Sequence, residues 1–244
     1  MEHPFLRTRM LMGQPAIKTL EDSHVAVFGV GGVGGYVVEA LARSGIGELS
    51  LFDNDRVSIT NLNRQIIALH STIGEYKVDV AAKRVADINP ACRVHAQRMF
   101  YLPQNADEVN LAAFHYVVDC IDTVAAKLEL IRRCHALSVP IISSMGAANK
   151  MNPSAFRVAD ISQTSIDPLA RIIRKKLRKE GIEHLKVVWS DEEPLTPLTP
   201  DTATATGRPV PASNAFVPAA AGLVAAGEVV KDLVCRADTF RKEF

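Results

Sequence analysis

Nowhere in these 244 residues do two cysteines stand at C-x-x-C spacing, and the four present (Cys92, Cys120, Cys134 and Cys235) are scattered. That excludes a zinc knuckle of paired thiols and fits reduced thiols in a cytosol. Aromatic residues make up only 6% of the chain, which leaves little for stacking on bases. Charge of one sign is also lacking: the net charge is +1, so no global field draws in a polyanion and any such contact must come from a local patch. No apolar run approaches the roughly 20 residues of a membrane span. The longest late one, Ala215–Gly227, contains Pro218 and then meets Glu228 and Lys231, so it reads as a buried helix. The start, Met1-Glu2-His3-Pro4-Phe5-Leu6-Arg7, has no apolar signal-peptide core. No membrane partner and a cytoplasmic location are the expectations.

What is present is an ordinary globular composition, 48% hydrophobic and 23% charged, long enough for one domain over 1–244. Short apolar runs alternate with helical patterns through residue 145. Strands are predicted at Val25–Gly29, Leu49–Asp53, Arg93–Gln97, Tyr116–Cys120 and Pro140–Ser144, with helices near Gly35–Ser44, Lys77–Asn89 and Val124–Leu137. This alternation predicts an α/β fold: a doubly wound, mainly parallel sheet with helices on both faces. Residues 1–150 form the nucleotide-binding core of that reading, and 151–244 a C-terminal portion. In the latter, Phe156–Asp160 and Val187–Trp189 read as strands, Ile166–Glu180 as a basic helix, and Phe216–Val234 as a closing helix whose small residues permit close approach. The Pro- and Thr-rich stretch 191–211 reads as a loop or mobile crossover.

Ligands on such a sheet sit at the carboxyl ends of the strands, and Gly29, Asp53 and Asp122 fall at or just past those ends. Gly29-x-Gly31-Gly32-x-Gly34 follows a strand and opens a helix, which lets backbone N–H groups reach phosphate oxygens. Asp53 ends the next strand, where a carboxylate can accept from both ribose hydroxyls. These two features fit a nicotinamide dehydrogenase as well as an ATP enzyme. The stretch Asp53-Asn54-Asp55 through Asn61-Leu62-Asn63-Arg64-Gln65 separates the two. A dehydrogenase has no use for an arginine and two amides behind the ribose carboxylate. An enzyme that cleaves a triphosphate does, because charge develops on the phosphate oxygens and a guanidinium fork stabilises it. Lys77, at a helix start, adds a point charge, and Asp122 beyond the fourth strand offers a carboxylate for Mg²⁺.

The set Gly29, Gly31, Gly32, Gly34, Asp53, Asp55, Asn61, Arg64, Gln65, Lys77 and Asp122 resembles the ubiquitin-activation-type, or ThiF-like, adenylating enzymes. The resemblance implies a Rossmann-like fold, ATP and Mg²⁺ as cofactors, the metal on Asp122, a homodimer, and an N-terminal arginine, here Arg7, acting in the partner's phosphate site. Two absences select among branches. Paired C-x-x-C motifs of the sulfur-carrier activators are missing, and residues 189–217 hold no cysteine for a protein thioester. Ser44-Gly45-Ile46-Gly47, Thr60–Ile66, Ile88-Asn89-Pro90, Asp119-Cys120-Ile121-Asp122-Thr123, Ser143–Ala147 and Val158–Ile161 resemble the tRNA threonylcarbamoyladenosine dehydratase family instead.

That branch implies ATP-driven activation of a carboxylate on a modified nucleoside beside the anticodon, loss of water, and cyclisation with no protein thiol. It implies tRNA as partner, with sulfur-transfer or redox proteins as accessory partners. The basic run Arg171–Lys179 is the RNA patch of this reading, with Arg171, Arg174, Lys175 and Arg178 on one helix face and Leu169, Ile173 and Leu177 turned to the core. Trp189 and Phe216 flank the 191–211 loop, with core packing as their plainer reading. The rivals are adenylation of the C-terminal glycine of a ubiquitin-like sulfur carrier, and a non-catalytic nucleotide-binding scaffold.

Overall fold

A computed structural model describes residues 4–199 and 210–238. The chain enters through two short helices, α1 (Leu6–Met12) and α2 (Gln14–Glu21), neither of which the strand–helix alternation predicts. There follow β1 (His24–Phe28), α3 (Gly34–Arg43), β2 (Glu48–Phe52), α4 (Lys77–Ile88), β3 (Arg93–Gln97), β4 (Tyr116–Asp119), α5 (Val124–Ala136) and β5 (Ile141–Ser144). The second half adds β6 (Phe156–Asp160), α6 (Pro168–Arg178), β7 (Lys186–Ser190) and the long α7 (Val217–Arg236). Every predicted strand and helix is found within a residue or two of its expected ends. The 191–211 stretch is irregular where it is described, and residues 200–209 of it lie outside the described residues.

Among the described residues the seven strands form one sheet in the order β3-β2-β1-β4-β5-β7-β6. All neighbours run parallel except β6, which lies antiparallel on β7 at the edge. The order reverses beside β1, so the carboxyl ends of β1 and β4 diverge there and open a crevice. β1, β4 and β2 are buried on both faces, which is why they read as near-continuous apolar runs rather than alternating ones.

Two helical layers cover the sheet. Val25, Val27, Leu49 and Leu51 face one core, closed by Val37 and Leu41 of α3, Val78 and Val85 of α4, and Val217, Ala221 and Val229 of α7. Ala26, Phe28, Phe52 and Val117 face the other way, toward Ala126 and Leu130 of α5. There Phe28 and Phe52 stack at 4.3 Å between ring centroids. α5 and α6 share a third cluster over β7, in which Trp189 is buried with Ile173 and Leu177. The small residues of α7 let it lie tight on α3: a Cβ at Gly222 would stand 2.4 Å from the Val33 carbonyl oxygen. No helix among the described residues is long and apolar enough to cross a membrane.

Candidate active site

The turn after β1 is shaped by two glycines. Gly29 has φ 87°, and a Cβ there would lie 2.7 Å from the Cys120 carbonyl oxygen; one on Gly34 would lie 1.8 Å from the Gly29 carbonyl oxygen. No side chain fits at either position, so the turn between them is pulled against the end of β4, and the N–H groups of Gly31, Gly32 and Val33 have no acceptor among the described residues. The Asp53 carboxylate braces this turn. Its Oδ2 accepts from the Val30 N–H at 2.7 Å and its Oδ1 from the Asp55 N–H at 2.8 Å. Burial raises this carboxyl above the ordinary range, against the opposing pull of Lys77 and of those two N–H groups.

Lys77 starts α4 with its side chain almost wholly buried, and its ammonium reaches Asp55 Oδ2 at 2.6 Å. The backbone repeats the tie, since the Lys77 N–H donates to the Asp55 carbonyl at 2.9 Å. Asn61 is buried and accepts from the Ser58 N–H at 3.1 Å, holding a 3₁₀ turn at Ile59–Asn61. From that turn Arg64 and Gln65 are carried to the glycines. Arg64 Cγ would be 3.6 Å from a Cβ on Gly32, and Gln65 Nε2 3.8 Å from one on Gly31. Arg64 Nη1 donates to the Thr60 carbonyl at 2.8 Å and to Asn63 Oδ1 at 3.1 Å. Gln65 Oε1 is buried without a hydrogen-bond partner among the described residues. A buried amide oxygen left unpaired costs about 1–3 kcal/mol, and beside a glycine turn of free N–H groups it marks a place where a ligand donor belongs.

Asp122 stands three residues beyond the end of β4, just past the Cys120–Ile121 backbone that touches Gly29. Its carboxylate is exposed, receives only the Thr123 hydroxyl at 3.3 Å, and enters no ion pair among the described residues. An exposed carboxylate free of cations suits a hard, partly hydrated cation such as Mg²⁺. Arg7 is not brought to this cluster. It lies exposed on α1, with no hydrogen bond or ion pair to the other site residues among those described.

The structure adds residues that the sequence reading passed over. Lys127 and Asp119, both fully buried, pair at 2.7 Å beneath the 119–123 turn. The Lys127 ammonium also donates to Ser143 Oγ and the Ser144 carbonyl, and Asp119 Oδ1 accepts from the Ile121 N–H at 3.0 Å. A signal existed: Lys127 stands at the i−3, i−4 and i−7 positions of the buried Leu130, Ile131 and Cys134, on the inward stripe of its helix. A second buried pair, Lys150 with Asp167, is at 3.3 Å, and Asp167 also caps α6 through the Ala170 N–H.

The basic helix divides. Arg171, Lys175 and Arg178 are exposed, but Arg174 is half-buried, and its Nη1 donates to the Thr164 carbonyl at 2.8 Å and to the Thr164 hydroxyl. It ties α6 to the turn before it. The 191–211 stretch is pinned on both described arms. Asn149 exchanges backbone and side-chain bonds with Ala212, and its carbonyl accepts from the Leu195 N–H. Asn63 Nδ2, beside Arg64, donates to the Ser213 carbonyl at 3.1 Å. A cavity of about 210 Å³ opens between the arms, lined by Lys150, Met151, Leu195 and Asn214 among others. Burial pushes the Cys92 thiol up to about 11 and that of Cys134 to about 12, so neither supplies a thiolate.

Comparison with known proteins places these features. The ThiF family model matches residues 5–243. The tRNA threonylcarbamoyladenosine dehydratase of Bacillus subtilis (strain 168) is 46% identical over 244 residues, spanning 96% of each chain. The crystal structure of the E. coli tRNA N6-threonylcarbamoyladenosine dehydratase with AMP matches at TM-score 0.87 and 34% identity, over 95% of this chain and 94% of that one. The same enzyme with ATP matches at 0.86, also at 34% identity, over 96% and 95%.

Proposed function

The chain belongs to the ThiF family, and from that premise we propose that it is an ATP-dependent tRNA threonylcarbamoyladenosine dehydratase. It activates the carboxylate of threonylcarbamoyladenosine, next to the anticodon, and drives its cyclisation with loss of water. The observation that carries the reading is the buried Gln65 Oε1, unpartnered among the described residues, set beside a glycine turn that Arg64 approaches and Asp53 braces. Such a turn fits a nucleotide with a charged phosphate chain.

In this reading the N–H groups of the 29–34 turn cradle phosphate and Asp53 takes the ribose. Asp55, Asn61 and Gln65 line the nucleotide, and Arg64 and Lys77 meet the charge that grows on the phosphate oxygens as the substrate carboxylate attacks phosphorus and the P–O bond to the leaving pyrophosphate or ADP breaks. Asp122 holds Mg²⁺, which offsets triphosphate charge when bound. The carboxylate oxygen, now phosphoryl- or adenylyl-bound, departs when an acceptor within the same nucleoside closes the ring. No protein thiol is needed, in keeping with the buried Cys92 and Cys134. The absence of cysteine from 189–217 ranks adenylation of a sulfur carrier second.

The protein works in the cytoplasm as one ThiF-type domain in a homodimer, with Arg7 of each protomer reaching the other's phosphate site. α1 supports this by exposing Leu6, Met10 and Leu11 beside Arg7, apolar surface that a partner would cover. Arg171, Lys175 and Arg178 offer tRNA an exposed cationic face, and Arg174 holds the loop behind it. Sulfur-transfer or redox proteins are its accessory partners.

Mass spectrometry of tRNA nucleosides tests the function. Cells lacking the protein retain the uncyclised nucleoside, wild-type protein restores the cyclic one, and Asp122→Ala, although folded, does not. Persistence of the cyclic nucleoside in the deletion strain overturns the assignment.

A further inference from the structure

The amino edge of the sheet, opposite the nucleotide site, carries a cluster that the proposed reaction does not use. His24 opens β1 and stands in register with Glu48, which opens β2. His95, in β3, is in register with Ser50, two residues along from Glu48. Side chains two apart on a strand share a face, so His24, Glu48 and His95 converge on one side of three adjacent strands. Glu48 Oε1 lies 2.7 Å from His95 Nε2 and 3.8 Å from His24 Nδ1. The donor atoms of all three residues fall within 4.8 Å of one another.

The surroundings orient these atoms. Glu48 Oε2 is taken by Arg93, which leaves Oε1 for the two imidazoles. His24 Nε2 is 2.9 Å from Ser50 Oγ, so in the tautomer that donates to Ser50 the Nδ1 lone pair points at the carboxylate. The His24 N–H is spent on His115 Nδ1 at 2.9 Å, and the Phe114 ring stands edge-on to His24 at 4.8 Å. His24 and Glu48 are therefore fixed, their side chains 16% and 19% exposed, whereas His95 at 46% can turn.

A gap of 3.8 Å is too long for a hydrogen bond. Two ligands of one tetrahedral first-row ion, each about 2.1 Å from it, stand about 3.4 Å apart. We propose that His24 Nδ1, Glu48 Oε1 and His95 Nε2 bind one divalent first-row transition-metal ion of the Zn²⁺ class, with water completing its shell on the exposed His95 side. Two imidazoles and one carboxylate select Zn²⁺, Co²⁺ or Ni²⁺ over Mg²⁺ and Ca²⁺. Ser50 and Arg93 act behind the ligands, the usual means of fixing a ring or a carboxylate on a metal. β1 runs five residues from His24 to Phe28, a rise of about 13 Å, so the site is separate from the Mg²⁺ position proposed at Asp122. Its effect is to rivet the starts of three strands.

The test is titration of the untagged, nucleotide-free full chain with Co²⁺ and with Zn²⁺, followed by absorbance and thermal unfolding. One equivalent of Co²⁺ binds with weak d–d bands and no thiolate charge-transfer band, Zn²⁺ raises Tm, and excess Mg²⁺ does not displace either ion. Ser50→Ala weakens binding about tenfold, and His95→Ala, at a half-exposed position that spares the fold, removes the stoichiometric site. Failure to bind one equivalent, thiolate bands, displacement by Mg²⁺, or unchanged binding in His95→Ala overturns the proposal. None of these outcomes bears on the dehydratase reading, which the tRNA nucleosides decide.

Discussion

Two lysine–aspartate pairs stand near the carboxyl edge of the sheet, alike in chemistry and distance and unlike in burial. Lys127 meets Asp119 at 2.7 Å with both side chains 0% exposed; Lys77 meets Asp55 at 2.6 Å with the lysine 7% and the aspartate 63% exposed. In the sealed pair the three ammonium protons go to Asp119, Ser143 and Ser144, so nothing remains to offer a ligand. In the open pair only Asp55, among the described residues, takes a side-chain bond from the ammonium, and water already competes for that carboxylate. Only the Asp55 half of the pair is open to solvent, and in the proposed reaction a triphosphate, carrying more charge than one screened carboxylate, replaces Asp55 at Lys77. The contrast gives the first pair the holding of the 119–123 turn, and leaves the second free for the phosphate contact of the proposed function.

Breaking the sealed pair gives the largest expected effect. Lys127→Ala strands the Asp119 charge in the interior and destabilises the protein by about 3–5 kcal/mol, measurable as a shift of the urea midpoint. A loss under 1 kcal/mol would mean that the turn does not depend on the pair. The open pair is expected to respond the other way. Lys77→Ala lowers kcat/KM for ATP about 10²–10³-fold, the usual cost of removing one group that stabilises transition-state charge. Its urea midpoint stays within about 1 kcal/mol of wild type. Steady-state kinetics beside urea denaturation separates the two roles, and a Lys77→Ala protein that unfolds while turning over normally would erase the distinction.

The same contrast explains what could be read in advance. β3 at Arg93–Gln97 and β6 at Phe156–Asp160 have the predicted ends, because local pattern and flanking turns agree there. The glycine turn was legible as a turn, and Asp53, Arg64, Gln65 and Lys77 as its neighbours, because they follow the ends of adjacent strands within one stretch of chain. α1 and α2 were not: they are helices of 7 and 8 residues, too short for a clear period, although the proline just inside the start of α2 was a helix-start signal. Lys127 was missed although its spacing from Leu130, Ile131 and Cys134 sets it on the inward stripe, because a lysine there has no visible partner until Asp119 is known to lie beneath it. Arg174 misled for the opposite reason. Helical spacing puts it on the cationic face with Arg171 and Arg178, but the Ile161–Gln163 turn folds back against it, and no local pattern encodes that packing.

A third ion pair, intermediate in exposure, offers the smallest effect and tests whether burial is the variable that matters. Lys186 on β7 reaches Glu228 at 2.7 Å and both Asp232 oxygens at 2.8 Å on α7; the three side chains are 33%, 13% and 18% exposed. For Glu228, burial works against ionisation, but the hydrogen bonds from Lys186 and Lys231 outweigh it and hold the carboxyl below its ordinary range. A carboxyl whose folded pKa is depressed contributes stability above its unfolded value, about 4.3, and loses it as pH falls through the lower folded value. Glu228→Gln should therefore cost about 1 kcal/mol at pH 7, while its thermal midpoint converges on that of wild type under acid conditions below both values. A cost at neutral pH as large as that of Lys127→Ala would show that partner number, rather than exclusion of water, sets the strength of these pairs. The Lys77–Asp55 pair would then owe its weakness to its single side-chain partner rather than to the exposure of Asp55, and burial would no longer separate it from Lys127–Asp119.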